Sequence, residues 1–139
     1  MAESKEAGLR LAIYGRVSTE EQREGKTIDS QITELEVIAA AKGWVIADIY
    51  KDAGWSGSIM ARPELDRLRD DARAGRFQAV LINDVDRLAR DVTHLGVIKR
   101  DLERYNVRVI FRKLPSETSP ISNLMVNILG SFEIGRAHV

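Results

Sequence analysis

The stretch LRLAIYGRVSTEEQ, from Leu9 to Gln22, joins an alternating apolar run to a polar one. Between Leu9 and Ile13 every second residue is a large aliphatic one, which is the pattern of a β-strand with one buried face. The apolar alternation stops at about Arg16 or Val17, where polar residues take over. This stretch therefore predicts a first strand that ends near Arg16 or Val17 and is followed by a helix.

Strand and helix patterns alternate along the rest of the chain. Apolar residues at helical spacing predict helices that include Ile28–Ile38, Leu65–Ala72, Leu95–Tyr105 and Ile121–Phe132. Gly43 is the predicted C-cap of the first helix, and Pro63 fits the first turn of the second. Short β-rich runs predict further strands at Trp44–Asp52, Ala79–Asn83 and Val107–Phe111. Strands that alternate with helices are typical of an α/β sandwich. We expect one domain with a mainly parallel central sheet of four to five strands and helices on both faces.

Composition excludes several classes of protein. The chain has 139 residues, 44% of them hydrophobic, with no cysteine and only two histidines, so we expect a compact core, no disulfide and no metal site. No apolar run approaches the roughly 20 residues that cross a bilayer, and the N-terminus is polar, which predicts a cytoplasmic protein without a membrane partner. Lys plus Arg equals Asp plus Glu at 21 each, so any contact with nucleic acid must depend on local arginines.

Polar residues follow three of the predicted strands. They are Arg16 and Ser18 after the first strand, Asp52 at the end of the second, and Asp84, Asp86, Arg87 and Arg90 after the third. In an open α/β sheet, ligands collect beyond the carboxyl ends of the strands. Arg87 and Arg90 are three residues apart, so on a helical turn both can reach oxygens of one phosphate, and Arg62 can add a third guanidinium.

Two interpretations of Ser18 remain open on the residues alone. Ser18 with Glu21, and Thr19 with Gln22, each match a helix capping box, which is the commoner role for a serine in such a stretch. The alternative is a nucleophile, because a serine beside an arginine cluster without histidine suits attack on a phosphodiester. Asp52 and Asp86 would then orient the guanidiniums, although a purely structural pairing of either aspartate with arginine fits equally well.

Several motifs together resemble the catalytic domain of the serine site-specific recombinases, the resolvase/invertase family. They are YGRVST with Gln22, IDSQ at Ile28–Gln31, YKDAGWSG at Tyr50–Gly57, RPELDRL at Arg62–Leu68, and DRLARD at Asp86–Asp91. The likeness extends over residues 9 to 132. The motifs IDSQ, GWSG and RPELDRL resemble those of the large serine integrases and transposases of phages and mobile elements more than those of the small resolvases. A resolvase-like sandwich is the fold that this resemblance implies.

The resemblance also implies a reaction and a set of roles. Ser18 would attack a DNA phosphodiester and keep the 5′ phosphate as a serine ester, without metal or cofactor. The residues that would hold the phosphate are Arg16, Arg62, Arg87 and Arg90. Asp86 would orient these arginines or assist proton transfer. The residues that would support the site are Tyr14, Gln22, Gln31 and Asp52. DNA is the implied partner, and the full-length protein would assemble into dimers and tetramers.

The sequence differs from the family pattern in two places. Many members have a lysine near the position of Asp71, and Arg69 or Arg73 is the candidate substitute for it here. The usual long final helix is replaced by EIGRAHV, so we expect a polar segment at 1–8 and a catalytic domain at 9–132 truncated in its last helix. Residues 133–139 are expected to be a non-native tail that is frayed or packed without a structural role. Such a fragment is expected to be inactive alone. The alternatives are a non-catalytic DNA-binding or assembly domain of the same fold, or a metal-independent phosphoesterase.

Overall fold

The computed structural model describes residues 8–17, 25, 27–53, 63–88, 92–113 and 133–134, without the side chains of residues 53, 85, 86, 92, 133 and 134. Its strands are β1 (Arg10–Val17), β2 (Val45–Ala53), β3 (Ala79–Ile82), β4 (Arg108–Phe111) and β5 (Glu133–Ile134). Its helices are α1 (Ile28–Lys42), α2 (Pro63–Arg73), α3 (Val85–Leu88) and α4 (Val92–Arg104). The strands form one sheet in the order β2-β1-β3-β4-β5, and each neighbouring pair is parallel. The predicted α/β fold is confirmed.

Apolar side chains of β1 pack on both faces of the sheet. Ala12 and Tyr14 belong to one buried cluster, together with residues of α2 and α4 such as Leu68 and Leu102. Leu11 and Ile13 belong to a second cluster with α1. Successive side chains of a strand point to opposite faces, so a strand covered on both sides must be apolar throughout. Helices therefore lie on both faces, as the sequence predicts.

The ends of α1 follow from its flanking residues. Thr27 has extended backbone angles, and its hydroxyl accepts a 3.1 Å hydrogen bond from the amide of Ser30. Gly43 adopts a left-handed conformation (φ 76°), and its N–H returns to Ala39 and Ala40 carbonyls, which confirms the predicted C-cap. The candidate capping pairs at Ser18 and Thr19 lie outside the described residues. Among the described helices, none is long and apolar enough to cross a membrane.

The strand β5 comes from the segment 133 to 139, which we expect to be non-native and either frayed or packed without a structural role. Within it, Glu133 pairs with Ile110 and Ile134 pairs with Phe111 of β4. The free edge of a strand offers backbone N–H and C=O groups to any extended segment nearby, and this accounts for the pairing. The fifth strand confirms the upper end of the predicted strand count. The helix predicted over Ile121–Phe132 lies outside the described residues.

Candidate active site

The carboxyl ends of β1, β2 and β3 come together at one edge of the sheet. In the register of the strands, Arg16 lies opposite Asp52, and Tyr14 lies opposite Ile82, the last residue of β3. β1 continues past that point to Val17, while the chain leaving β3 enters α3, which contains Arg87. The sequence placed these polar residues at a common sheet edge, and for Arg16, Asp52 and Arg87 the prediction is confirmed.

Arg16 and Arg87 bind each other's backbone. Nη1 of Arg87 donates a 2.8 Å hydrogen bond to the carbonyl of Arg16, and Nε of Arg16 donates to the carbonyl of Arg87 at 3.3 Å. Arg16 is completely buried. The two contacts join the end of β1 to α3 and bring two guanidinium groups to one place. Guanidinium groups that lie close together repel one another, and a bound anion such as phosphate offsets that repulsion.

Gln31 of α1 completes the backbone pairing of Arg16. The amide N–H of Arg16 donates to Oε1 of Gln31 at 3.2 Å, and Nε2 of Gln31 donates to the Arg16 carbonyl at 3.4 Å. Because β3 accompanies β1 only as far as Tyr14, the side chains of Gln31 and Arg87 bind backbone groups of β1 beyond the end of β3. Gln31 thus holds the Arg16 backbone at the end of β1.

Gly15 allows α1 to pack closely against β1. A Cβ atom added at Gly15 would lie 2.9 Å from Cδ1 of Ile32 and 3.4 Å from Oε1 of Gln31. The first distance is shorter than carbon atoms tolerate, so a larger residue would push α1 away from the strand. A glycine between Tyr14 and Arg16 is therefore part of the geometry of the sheet edge.

Asp52 binds the start of α2. Its Oδ1 accepts the amide of Glu64 at 3.1 Å, and its Oδ2 accepts both the amide of Leu65 at 3.0 Å and the hydroxyl of Tyr14 at 2.8 Å. Asp52 is only 2% exposed, and the positive end of a helix stabilises such a carboxylate.

The sequence-based role for Asp52 was to orient guanidiniums. Among the described residues, its hydrogen-bond partners are instead the Tyr14 hydroxyl and two amides of α2. Tyr14 and Asp52 hold the first turn of α2, whose first residue, Pro63, directly follows Arg62 in the sequence. Tyr14 and Asp52 therefore fix the position of that helix end.

The polar edge continues from Arg87 and Asp84 towards β4 through three residues that the sequence analysis did not single out, Asn83, Arg112 and Glu34. Oδ1 of Asp84 lies 3.6 Å from Nε of Arg87, and Oδ2 of Asp84 accepts Nδ2 of Asn83 at 3.2 Å. Oδ1 of Asn83 accepts Nη1 of Arg112 at 3.1 Å, and Nη2 of Arg112 lies 3.4 Å from Oε1 of Glu34. We call these five residues the polar chain. Its one signal in the sequence is that Arg112, like Arg16, stands at the end of a β-rich run.

Five of the predicted site residues cannot be compared with this geometry. Ser18, Gln22, Arg62, Arg90 and the side chain of Asp86 lie outside the described part of the chain, and their roles stay predictions. The backbone of Asp86 belongs to α3, one residue before Arg87.

The two arginines considered as substitutes for the family lysine are engaged elsewhere. Arg69 forms an ion pair with Asp101 of α4, and Arg73 pairs with Asp70 at 3.4 Å. Both line a groove between α2 and α4. The nearby Asp71 accepts the Tyr50 hydroxyl at 2.6 Å, and burial together with this bond raises the pKa of Tyr50. The substitution of either arginine for the family lysine stays a prediction.

Comparison with known proteins agrees with this fold. The family described as "Resolvase, N terminal domain" matches residues 11–138. The N-terminal catalytic domain of TP901-1 integrase is 36% identical, with a TM-score of 0.69 over 86% of this chain and 90% of that one. A resolvase family site-specific recombinase from Streptococcus pneumoniae is 28% identical, with a TM-score of 0.68 over 87% and 83% of the two chains.

Relatives identified by sequence are longer proteins. A protein of Bacillus subtilis (strain 168), assigned as a DNA recombinase, is 38% identical over 122 residues, which are 87% of this chain and 24% of that protein. The Tn21 resolvase of Escherichia coli is 36% identical over 81 residues, or 55% of this chain and 42% of its own length. The chain spans less than half of either relative. Because the family match extends over nearly the whole sequence, the chain belongs to the resolvase family.

Proposed function

We propose that this chain is the catalytic domain of a serine recombinase, which cuts and rejoins DNA at specific sites through a covalent bond to Ser18. The observation that carries the proposal is the reciprocal binding of Arg16 and Arg87 at the carboxyl edge of the sheet. Ser18 follows Arg16 by two residues in the sequence and comes directly after Val17, the last residue of β1. The family membership and the likeness to a catalytic domain of an integrase support the same function.

The reaction exchanges one phosphate ester for another. Oγ of Ser18 attacks the phosphorus of a DNA phosphodiester and loses its proton, the bond from phosphorus to the 3′ oxygen breaks, and that oxygen leaves as a 3′ hydroxyl. The 5′ phosphate remains on the serine. Attack by a 3′ hydroxyl of the partner DNA reverses these steps, and the stored ester bond makes a nucleotide cofactor unnecessary.

The described residues contribute charge and position to this reaction. Arg16 and Arg87 bring positive charge to the phosphate, where negative charge increases in the transition state. Gln31 fixes the Arg16 backbone, and Tyr14 with Asp52 fixes the first turn of α2 next to Arg62. Arg62 and Arg90 are proposed to complete the phosphate clamp. Asp86 is proposed to orient these arginines or to move the proton of Ser18.

DNA is the proposed partner, and self-association is proposed for the full-length protein. Four subunits would assemble at two DNA sites, because four strands are cut and rejoined in recombination of this kind. The likeness to TP901-1 integrase favours an integrase of a mobile element over the other roles of the family.

A covalent DNA adduct tests the function directly. The full-length protein is incubated with end-labelled DNA that contains the recombination site next to its gene. We expect a labelled protein–DNA species that protease removes, that is absent in Ser18→Ala, and that persists in Ser30→Ala, an exposed serine of α1. Release of a free 5′ phosphate without an adduct would favour a phosphoesterase. DNA binding without either product would favour a non-catalytic domain of this fold.

A further inference from the structure

Among the described residues, the guanidinium of Arg87 contacts Arg16 through a hydrogen bond and Asp84 through an ion pair. Its Nη1 binds the Arg16 carbonyl at 2.8 Å, while its Nε faces Oδ1 of Asp84 at 3.6 Å, and only 13% of the Arg87 side chain is exposed. A guanidinium is planar and rigid, so contacts at two of its nitrogens determine the orientation of the whole group. The position of the Asp84 carboxylate therefore matters for the direction in which Arg87 presents its charge.

Asn83 holds Asp84, and Arg112 determines which way Asn83 faces. An asparagine side chain has a donor end and an acceptor end of nearly equal shape. Here Nδ2 donates to Asp84 at 3.2 Å, while Oδ1 accepts from Nη1 of Arg112 at 3.1 Å. If the amide turned over, its oxygen would face the Asp84 carboxylate and its NH₂ would face a guanidinium. Both contacts would be repulsive, so Arg112 selects the orientation that holds Asp84.

The position of Arg112 is itself fixed by the sheet and by α1. Its backbone N–H donates to the carbonyl of Ile82 at 2.8 Å, and the N–H of Lys113 donates to the carbonyl of Asn83 at 3.0 Å. These bonds continue the β3–β4 pairing past the strand ends. Nη2 of Arg112 also lies 3.4 Å from Glu34 of α1, one turn after Gln31. The Arg112 backbone is thus attached to β3, and its guanidinium contacts Asn83 after β3 and Glu34 of α1.

We propose that Arg112 is a positioning residue for the recombinase reaction, holding Arg87 in its orientation through Asn83 and Asp84. This inference rests on the proposed function, because Arg87 is there one of the groups that bind the phosphate. Along the polar chain, charges of opposite sign or polar groups alternate from Glu34 to Arg87, so each contact is attractive. Arg112 itself acts at a distance from the phosphate, through its neighbours.

The first test separates DNA binding from cleavage. Single-turnover formation of the Ser18 adduct and DNA affinity are measured for the full-length wild type, Arg112→Gln, Arg112→Lys and Asn83→Asp. We expect Arg112→Gln and Asn83→Asp to slow cleavage about tenfold, because interaction energies between coupled neighbouring residues are of this size. We expect the DNA affinity to change less than about twofold, since neither residue contacts the phosphate in this proposal. Arg112→Lys restores part of the rate because it keeps the charge and a donor. Arg73→Gln is the matched control, because it also removes an arginine from a 3.4 Å ion pair.

A double-mutant cycle determines whether Arg112 acts through Arg87. On an Arg87→Lys background, Arg112→Gln should cause less than about a twofold further loss, because the group that it positions has already been replaced. Rate losses that multiply would overturn the proposal, and so would an unchanged cleavage rate in Arg112→Gln.

A spectroscopic measurement keeps the inference testable if the proposed function fails. The ¹⁵N-edited signal of Arg87 Nε–H, assigned by its loss in Arg87→Lys, is compared between variants at equal folded fraction. We expect Arg112→Gln and Asn83→Asp to shift this signal and to speed its exchange with water about tenfold or more, whereas Arg73→Gln leaves it in place. If the wild type forms no Ser18 adduct, the proposed function is wrong, and this signal alone decides whether Arg112 holds Arg87. An Arg87 signal that is the same in wild type and Arg112→Gln would contradict the inference.

Discussion

The hydroxyl of Tyr14 donates a 2.8 Å hydrogen bond to Oδ2 of Asp52, from β1 to the neighbouring strand β2. Both residues are almost completely buried, and the same carboxylate holds two amides of α2. A buried carboxylate that loses a donor is destabilised because water cannot replace that donor. This single contact therefore links the end of β1 to the helix that follows Arg62.

We expect Tyr14→Phe to lower the free energy of unfolding by about 1–3 kcal/mol. The phenyl ring keeps the packing, so the loss reports the missing hydroxyl donor to Asp52. Urea unfolding followed by circular dichroism measures the change. Tyr105→Phe, which removes a hydroxyl from a partly buried tyrosine elsewhere, serves as the control. Equal stability of Tyr14→Phe and wild type would show that the bond to Asp52 contributes nothing to folding.

Asp52→Asn should loosen the start of α2 selectively. The amide can offer only one acceptor oxygen where the carboxylate accepts three hydrogen bonds, and it removes the charge that the helix end stabilises. We expect exchange of the Glu64 and Leu65 amide hydrogens to speed up about tenfold or more, since charged hydrogen bonds contribute roughly 1.5–3 kcal/mol. Amide hydrogens within α4 provide the internal reference. Uniform acceleration over the whole chain would indicate general destabilisation instead.

Gly15→Ala should weaken the contact between α1 and β1. The new methyl group would lie 2.9 Å from Cδ1 of Ile32, and we expect a loss of about 1–3 kcal/mol in the free energy of unfolding, as for other overpacked sites. Ile32→Val removes that Cδ1 atom, so the double variant should recover part of the loss. Chemical denaturation of the two single variants and the double variant measures this coupling. Strictly additive losses would place the strain elsewhere.

Stability at acid pH should depend on Arg67. A hydrogen bond from Arg67 at 2.8 Å lowers the pKa of Glu64 below its ordinary 4.5. Burial works to raise the pKa of Asp48, but the Ile49 amide and Arg67 outweigh it and lower that pKa below 3.8. Carboxyl groups with a lowered folded pKa stabilise the fold above their unfolded pKa, and this stabilisation is lost as pH falls through the folded value.

The difference in unfolding free energy between wild type and Arg67→Gln should therefore be largest near neutral pH and should shrink below about pH 4.5. Urea titrations at a series of pH values measure it. Arg73→Gln is the control, since the Arg73–Asp70 pair is more exposed than the Arg67–Glu64 pair. A difference that is constant from pH 7 to pH 3 would contradict this origin of the acid sensitivity.

Predictions from sequence succeeded where the cause is local. Apolar spacing predicts α1 and β1, Gly43 predicts the end of α1, and Pro63 predicts the start of α2. Each of these signals acts over a few residues, through side-chain periodicity or backbone angles. The convergence of Arg16, Asp52 and Arg87 could also be predicted, because parallel strands bring their carboxyl ends to a common edge.

Hydrogen-bond partners within that edge were decided by the tertiary structure alone. Arg16 and Arg87 are 71 residues apart in sequence, and Arg112 reaches Asn83 across 29 residues. Such contacts depend on strand register, on the close approach of α1 at Gly15, and on the orientation of individual side chains. For the same reason the sequence did not predict the partners that Asp52 has among the described residues, which are the Tyr14 hydroxyl and two amides of α2. Residue types and spacing determine which groups arrive at the sheet edge, and packing among distant segments determines what each of them binds.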